Sequence, residues 1–122
     1  MLKQFEKQQY LNIETFRKSG QGVKTPVWFV QDGETLQIWT PIGAGKAKRI
    51  RNNGMVRVVP STGSGDPTGT WVDARAQADE STEAVKHLET LMKKKYGAMF
   101  SILGFLGRIR SKARYTTIKI QF

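Results

Sequence analysis

The residues with the most to offer chemically lie between Thr40 and Arg49. Thr40 ends a β-prone run, Gly43-Ala44-Gly45 forms a turn, and Lys46 and Arg49 stand in a short run of helix formers, Lys46 to Arg51. At the start of such a helix the first N–H groups have no intrahelical acceptor and sit at the positive end of the dipole. Lys46 and Arg49, one helical turn apart, converge on that same space, and Thr40 offers a hydroxyl from the strand edge. The chemistry this predicts is the holding of a phosphate through charge-assisted hydrogen bonds. The plainer reading is a solvated basic helix. The Gly-to-Gly-Lys-Ser/Thr spacing of a nucleotide P-loop is missing, which excludes that site. Trp28 and Trp39 would wall a flat aromatic group attached to the phosphate, or simply fill a core.

Other reactive residue types carry less. His87 is the one histidine, set beside Leu88 in an apolar-periodic stretch with no carboxylate or second histidine spaced to form a triad or metal site with it, so a surface or packing role is the plainer reading. Asp73, Asp79, Glu80, Glu83 and Glu89 show no paired acid–base spacing. There are no cysteines, which removes disulfides, thiolate metal sites and thiol nucleophiles together.

The elements that must position the phosphate residues follow from turn signals. Tyr10 to Arg17 alternates as a strand, and Ser19 to Gly22 turns it. Val23 to Gln31 reads as a second strand, and Asp32-Gly33 before Thr35 to Thr40 is a hairpin signal. The short helix stops at Asn52-Asn53-Gly54, Met55 to Val59 is a fourth strand, and Ser61 to Thr70 is a Gly/Ser/Pro loop. Trp71 to Ala78 is a fifth strand. A long helix then runs from an Ser81 N-cap, with Val85, Leu88, Leu91, Met92 and Tyr96 on one side, to Gly97. Met99 to Ile109 predicts a second apolar helix, and Tyr115 to Phe122 a sixth strand. The pattern predicts a mainly β chain: a six-stranded antiparallel β-barrel with peripheral helices, residues 1–122 forming a single domain.

The 122 residues carry a formal charge of +10. It is concentrated in two acid-free stretches: five Lys and Arg between positions 35 and 65, and eight between 90 and 122. Such blocks favour an anionic partner. The chain shows no charged-then-apolar leader, and its longest nearly apolar stretch, Ala98 to Gly107, is half of the ~20 residues a membrane span requires. A cytoplasmic location and no membrane partner are the expectation.

Taken together, Thr15-Phe-Arg-Lys-Ser-Gly20, Val23-Lys-Thr-Pro-Val-Trp-Phe-Val30, Trp39-Thr40 and Gly45-Lys-Ala-Lys-Arg-Ile-Arg51 resemble the pyridoxamine-phosphate-oxidase-like, FMN-binding split β-barrel family. The continuation Thr68-Gly69, Val72-Asp73-Ala74-Arg75-Ala76 and Lys95-Tyr96-Gly97 is most similar to its deazaflavin (coenzyme F420)-dependent oxidoreductase branch. The resemblance implies a homodimer with FMN or coenzyme F420 bound between subunits, transferring a hydride to or from a small organic substrate without a catalytic side chain. It assigns Lys46 to the cofactor phosphate, Thr40 to the strand-three hydroxyl, and the backbone of Thr25, Pro26 and Val27 to the ring edge. Trp39 sits where relatives place an aromatic, and Trp71 and Arg75 reach over from the second subunit. Pyridoxamine oxidases carry an arginine where this chain has Gly45, so Arg49 or Lys48 takes that part, and pyridoxamine phosphate itself is a poor match as substrate. Two alternatives stay open: a non-enzymatic flavin- or haem-binding barrel, against which His87 in a helix weighs, and a small basic barrel binding single-stranded nucleic acid.

Overall fold

A computed structural model describes residues 2–97 and 115–122. The expected helix Met99 to Ile109 and the basic residues Arg108, Arg110, Lys112 and Arg114 lie outside the described residues. Strands β1 (Tyr10–Phe16), β2 (Gly22–Trp28), β3 (Val30–Asp32), β4 (Thr35–Pro41), β5 (Met55–Ser61), β6 (Val72–Asp79) and β7 (Tyr115–Gln121) form one antiparallel sheet in the order β2-β1-β5-β6-β7-β4-β3. Two helices, α1 (Gly45–Asn52) and α2 (Thr82–Tyr96), and a short 3-10 turn at Leu2–Phe5 complete the described chain.

The sheet has seven strands rather than the six read from the sequence, and it is curled and open rather than closed by a ladder. The physical cause is Phe29. The run from Val23 to Gln31 is continuous in composition, yet the Phe29 N–H donates to the Tyr96 hydroxyl at 3.0 Å, and its carbonyl accepts from Lys95 Nζ at 2.7 Å and from the Tyr96 hydroxyl at 2.9 Å. With both backbone groups satisfied by the end of α2, Phe29 pairs with no strand. The halves of the run, β2 and β3, become opposite edges of the sheet. Because one residue joins those two edges, the sheet must curl until they meet there.

The other elements follow the local signals. Gly33, at φ +60°, opens the two-residue turn between Asp32 and Thr35. Ser81 Oγ accepts from the Ala84 N–H at 3.2 Å, capping α2, and Gly97 at φ +64° ends it. Pro60 is accommodated inside β5 because the pairing with β6 ends at Val58, leaving no ladder partner for a missing N–H. Inside the curl, Leu11, Ile13, Leu36, Ile38, Val58 and Ile118 are fully buried. On the other side, Leu88 and Met92 of α2 pack on Val30, with Trp28, Trp39 and Tyr96 around them. Helix α1 inserts Ala47 and Ile50 into the interior and touches β1, β4 and β6, strands from both halves of the sheet.

Candidate functional site

The start of α1 is the place where sequence and geometry coincide. Its N-cap, Ala44, contributes no side-chain cap, and the first turn contains no acidic residue, so no side chain of the helix neutralises the positive end of its dipole. Lys46 is half-buried, and burial together with the neighbouring Arg49 cation holds its ammonium below the ordinary lysine range. Arg49 is fixed from outside the helix: its Nε donates to Thr15 Oγ1 of β1 at 2.7 Å. Its guanidinium lies over Gly45, where a Cβ would stand 2.7 Å from one terminal nitrogen. Gly45 thus gives Arg49 room to fold back over the first turn of the helix. Arg51 turns away to Glu80, at 3.0 Å, and to the Ile42 carbonyl, at 2.9 Å, while Lys48 is exposed.

The remaining expected residues are distributed around this centre. Thr40, 2 % exposed, lies on the interior face with Leu36 and Ile38, so it faces the core rather than an open groove. Thr25 and Val27 share the interior face of edge strand β2, whereas Pro26 turns outward opposite Asn12. Pro26 has no N–H, so donors on this stretch can come only from Lys24, Thr25 or Val27. No residue of β2 is buried, although the strand contains Val23, Val27 and Trp28. Trp39 points to the opposite face from Thr40, its ring 4.2 Å from Tyr115 and packed into the layer under α2. Trp71 stands on the outer face between Lys24, 5.2 Å from its ring centroid, and Arg57, at 5.3 Å. There a row of alternating charge crosses four strands from Lys24 through Glu14 and Arg57 to Asp73. Within one chain, Lys46 and Arg49 come together, and Trp39 and Trp71 belong to other surfaces.

Two contributions escaped the sequence reading. Thr15 is one, although a hydroxyl residue following Leu11 and Ile13 on an inward-facing alternation was a visible signal. The other is the contact of Lys95 and Tyr96 with the backbone of Phe29, which neither the helical spacing nor the Lys95-Tyr96-Gly97 likeness reveals. His87 is exposed and bonded through Nε2 to Asp32 at 3.0 Å, consistent with a surface role.

No protein-family model matches the sequence, and no curated protein matches it. Solved structures do. A candidate pyridoxamine 5'-phosphate oxidase from Listeria innocua is 18% identical, with 98% of this chain and 87% of that one covered at a TM-score of 0.67. An F420 reductase is 19% identical over 98% of this chain and 90% of its own, at 0.64. The fold is the pyridoxamine-phosphate-oxidase-like split barrel. The haem storage protein HutZ of Vibrio cholerae shares this split barrel, at 16% identity, 95% and 82% coverage and a TM-score of 0.71. Split barrels thus include proteins named for different cofactors, and the choice among them rests on this chain's own residues. No helix among the described residues is long and apolar enough to cross a membrane.

Proposed function

We propose that the chain is an oxidoreductase that binds FMN or coenzyme F420 by its phosphate at the start of α1. The observation that carries this reading is the half-buried Lys46 beside Arg49 at an uncapped helix N-terminus. Two cations and a positive dipole end, with burial working against the lysine's charge, are relieved most directly by an anion. The residues fit a phosphate: Lys46 contributes a point charge, Arg49 a planar fork held by Thr15, and the first turn of α1 its free N–H groups. The cofactor supplies hydride transfer when bound, and the protein binds and orients it. Thr25, Pro26 and Val27 of the edge strand would line the cofactor ring, and the N–H groups of that strand would stabilise negative charge on it. A second copy of the chain, its Trp71 and Arg75 included, covers β2 and completes the groove, so the working unit is a homodimer. Trp39 acts through the packing beneath α2, and Thr40 from the interior side. Non-enzymatic haem binding gains nothing from His87, which is occupied by Asp32.

The test is a fluorescence titration of the purified protein with FMN and, separately, with F420, repeated on Lys46→Ala. At least one cofactor binds the wild type, and the variant binds it about tenfold more weakly or worse, since a charge-assisted contact contributes about 1.5–3 kcal/mol. Equal affinities for wild type and variant place the phosphate elsewhere and overturn the reading.

A further inference from the structure

The chain has three asparagines, Asn12, Asn52 and Asn53. Asn12 is buried, its Nδ2 donating to the Gly65 carbonyl at 2.9 Å, and Asn52 is the last residue of α1, followed by Asn53. Asn53 differs from both. It is exposed, it stands just beyond the helix in extended backbone, and the residue after it is Gly54. Its Oδ1 accepts from the Met55 N–H, two residues on, at 3.1 Å, an Asx turn that folds the side chain back over Gly54.

The nitrogen placed to react with that side-chain amide is the Gly54 peptide nitrogen. Among the described residues its N–H has no hydrogen-bond acceptor, and glycine puts no side chain in the way. Packing requires glycine here, because an added Cβ would stand 2.9 Å from the Ala76 carbonyl oxygen. The Ala76 N–H donates to the Gly54 carbonyl at 2.7 Å, which ties the residue to β6. The fold therefore fixes an exposed Asn-Gly pair at the junction of α1 and β5.

We propose that Asn53 is a site of spontaneous deamidation and isomerisation. The Gly54 nitrogen gives its proton to solvent base and attacks Asn53 Cγ. The new N–C bond closes a five-membered succinimide, the C–N bond of the side-chain amide breaks, and ammonia leaves with a proton returned from solvent. Negative charge gathers on Oδ1 as the tetrahedral centre forms, and the Met55 N–H is already bonded to that oxygen. Water then opens the ring, giving aspartate when it adds at Cγ and isoaspartate when it adds at the backbone carbonyl, with no gain or loss of electrons. Either product places a negative charge at the C-terminal end of α1, where the dipole disfavours it. Isoaspartate also inserts a methylene into the backbone between two bonds that fix the junction, the Asn53 N–H to the Arg49 carbonyl at 2.8 Å and the Ala76 N–H to the Gly54 carbonyl. The reaction needs Asn53, Gly54 and water alone, so it is independent of the phosphate site.

The probe is water itself. The full chain is held at pH 8 and 37 °C in heavy-oxygen water, and its peptides are read by mass spectrometry with electron-transfer fragmentation, which separates isoaspartate from aspartate. Asn53 is expected to convert at least about tenfold faster than Asn52 and Asn12, chiefly to isoaspartate, with one heavy oxygen taken up per event. Its rate rises with pH, because the attacking nitrogen must lose its proton. Conversion no faster than that of Asn52, or conversion to aspartate alone, overturns the proposal. Asn53→Gln, whose longer side chain closes an imide ring far more slowly, is expected to stay unmodified and keep its melting temperature over the same incubation, while the wild type comes to melt a few degrees lower. Equal melting of the two after incubation overturns the loosening of the junction.

Discussion

Lys46 and Lys95 are both lysines at helix ends whose ammonium is held below the ordinary lysine range by burial, and they have opposite surroundings. Lys46 stands at the positive end of α1, next to a second cation, with the helix dipole adding to the repulsion. An arriving anion improves all three terms at once. Lys95 stands at the C-terminal end of α2, and its ammonium already has the Phe29 carbonyl and ring face as partners. It therefore gains less from an anion. The difference teaches that a basic residue is informative through what surrounds it: +10 says little, while one lysine facing an arginine and another facing a carbonyl point to separate tasks.

The largest effect expected on the Lys95 side concerns its neighbour. Tyr96 stacks on Trp28 with ring centroids 4.3 Å apart and binds both backbone groups of Phe29, so it holds the break that separates β2 from β3. Tyr96→Ala should lower stability by about 3 kcal/mol in denaturant unfolding, from lost packing together with unsatisfied backbone groups. Tyr96→Phe, which keeps the stack, should cost about 1–2 kcal/mol. Similar small losses for both would mean the Phe29 break is held by other contacts.

On the Lys46 side, Lys46→Met separates binding from stability. Cofactor affinity should fall tenfold or more, while the ligand-free protein is as stable as the wild type or up to about 1 kcal/mol more so, because an uncompensated cation has been replaced by an apolar chain. A thermal melt showing a clear loss would make Lys46 a structural residue and collapse the contrast. Thr15→Val is the subtler version. Removing the hydroxyl that holds Arg49 Nε at 2.7 Å should weaken phosphate binding about fivefold, roughly 1 kcal/mol, with little change in the β1 core where valine fits. Unchanged affinity would show that Arg49 is positioned without β1.

How far these regions were legible in the sequence follows the same division. The anion site depends on neighbours in sequence, since Gly45, Lys46 and Arg49 share one helical turn, and turn chemistry with dipole logic suffices to find it. The hairpin at Gly33 and the Ser81 cap are local in the same sense. The seventh strand was hidden because its cause lies 67 positions away, in a tyrosine hydroxyl that takes Phe29 out of the ladder. Trp39 and Trp71 illustrate the same limit. Trp39 reads as a possible ring wall and Trp71 as a residue reaching over from a second subunit, but within the chain Trp39 packs under α2 and Trp71 stands beside Lys24 and Arg57. Thr15 falls between these cases, visible as a polar residue at an inward position and unassignable until Arg49 was seen to reach it.

The smallest effect expected is the pH dependence of stability from Lys95. Its folded-state value of about 8 lies below the ordinary 10.5 of the unfolded chain. Between those values the unfolded state binds more protons than the folded state, so this group makes stability rise with pH across that window. Below about pH 8 the destabilisation is present in full, and above about 10.5 it is gone. Lys95 is an exposed residue, and solvent screening keeps the change small. Tyr96 works in the opposite direction at the alkaline end, since burial raises its hydroxyl above the usual tyrosine value and favours unfolding once the unfolded phenol ionises. Lys46 shares the sign of Lys95, so only a difference measurement isolates the latter. Unfolding midpoints of wild type and Lys95→Met, compared at pH 7.5 and 9.5, should show the wild type gaining on the variant as pH rises. A constant difference would mean that the Phe29 ring and carbonyl keep Lys95 fully charged, and the two lysines would then differ in location but not in chemistry.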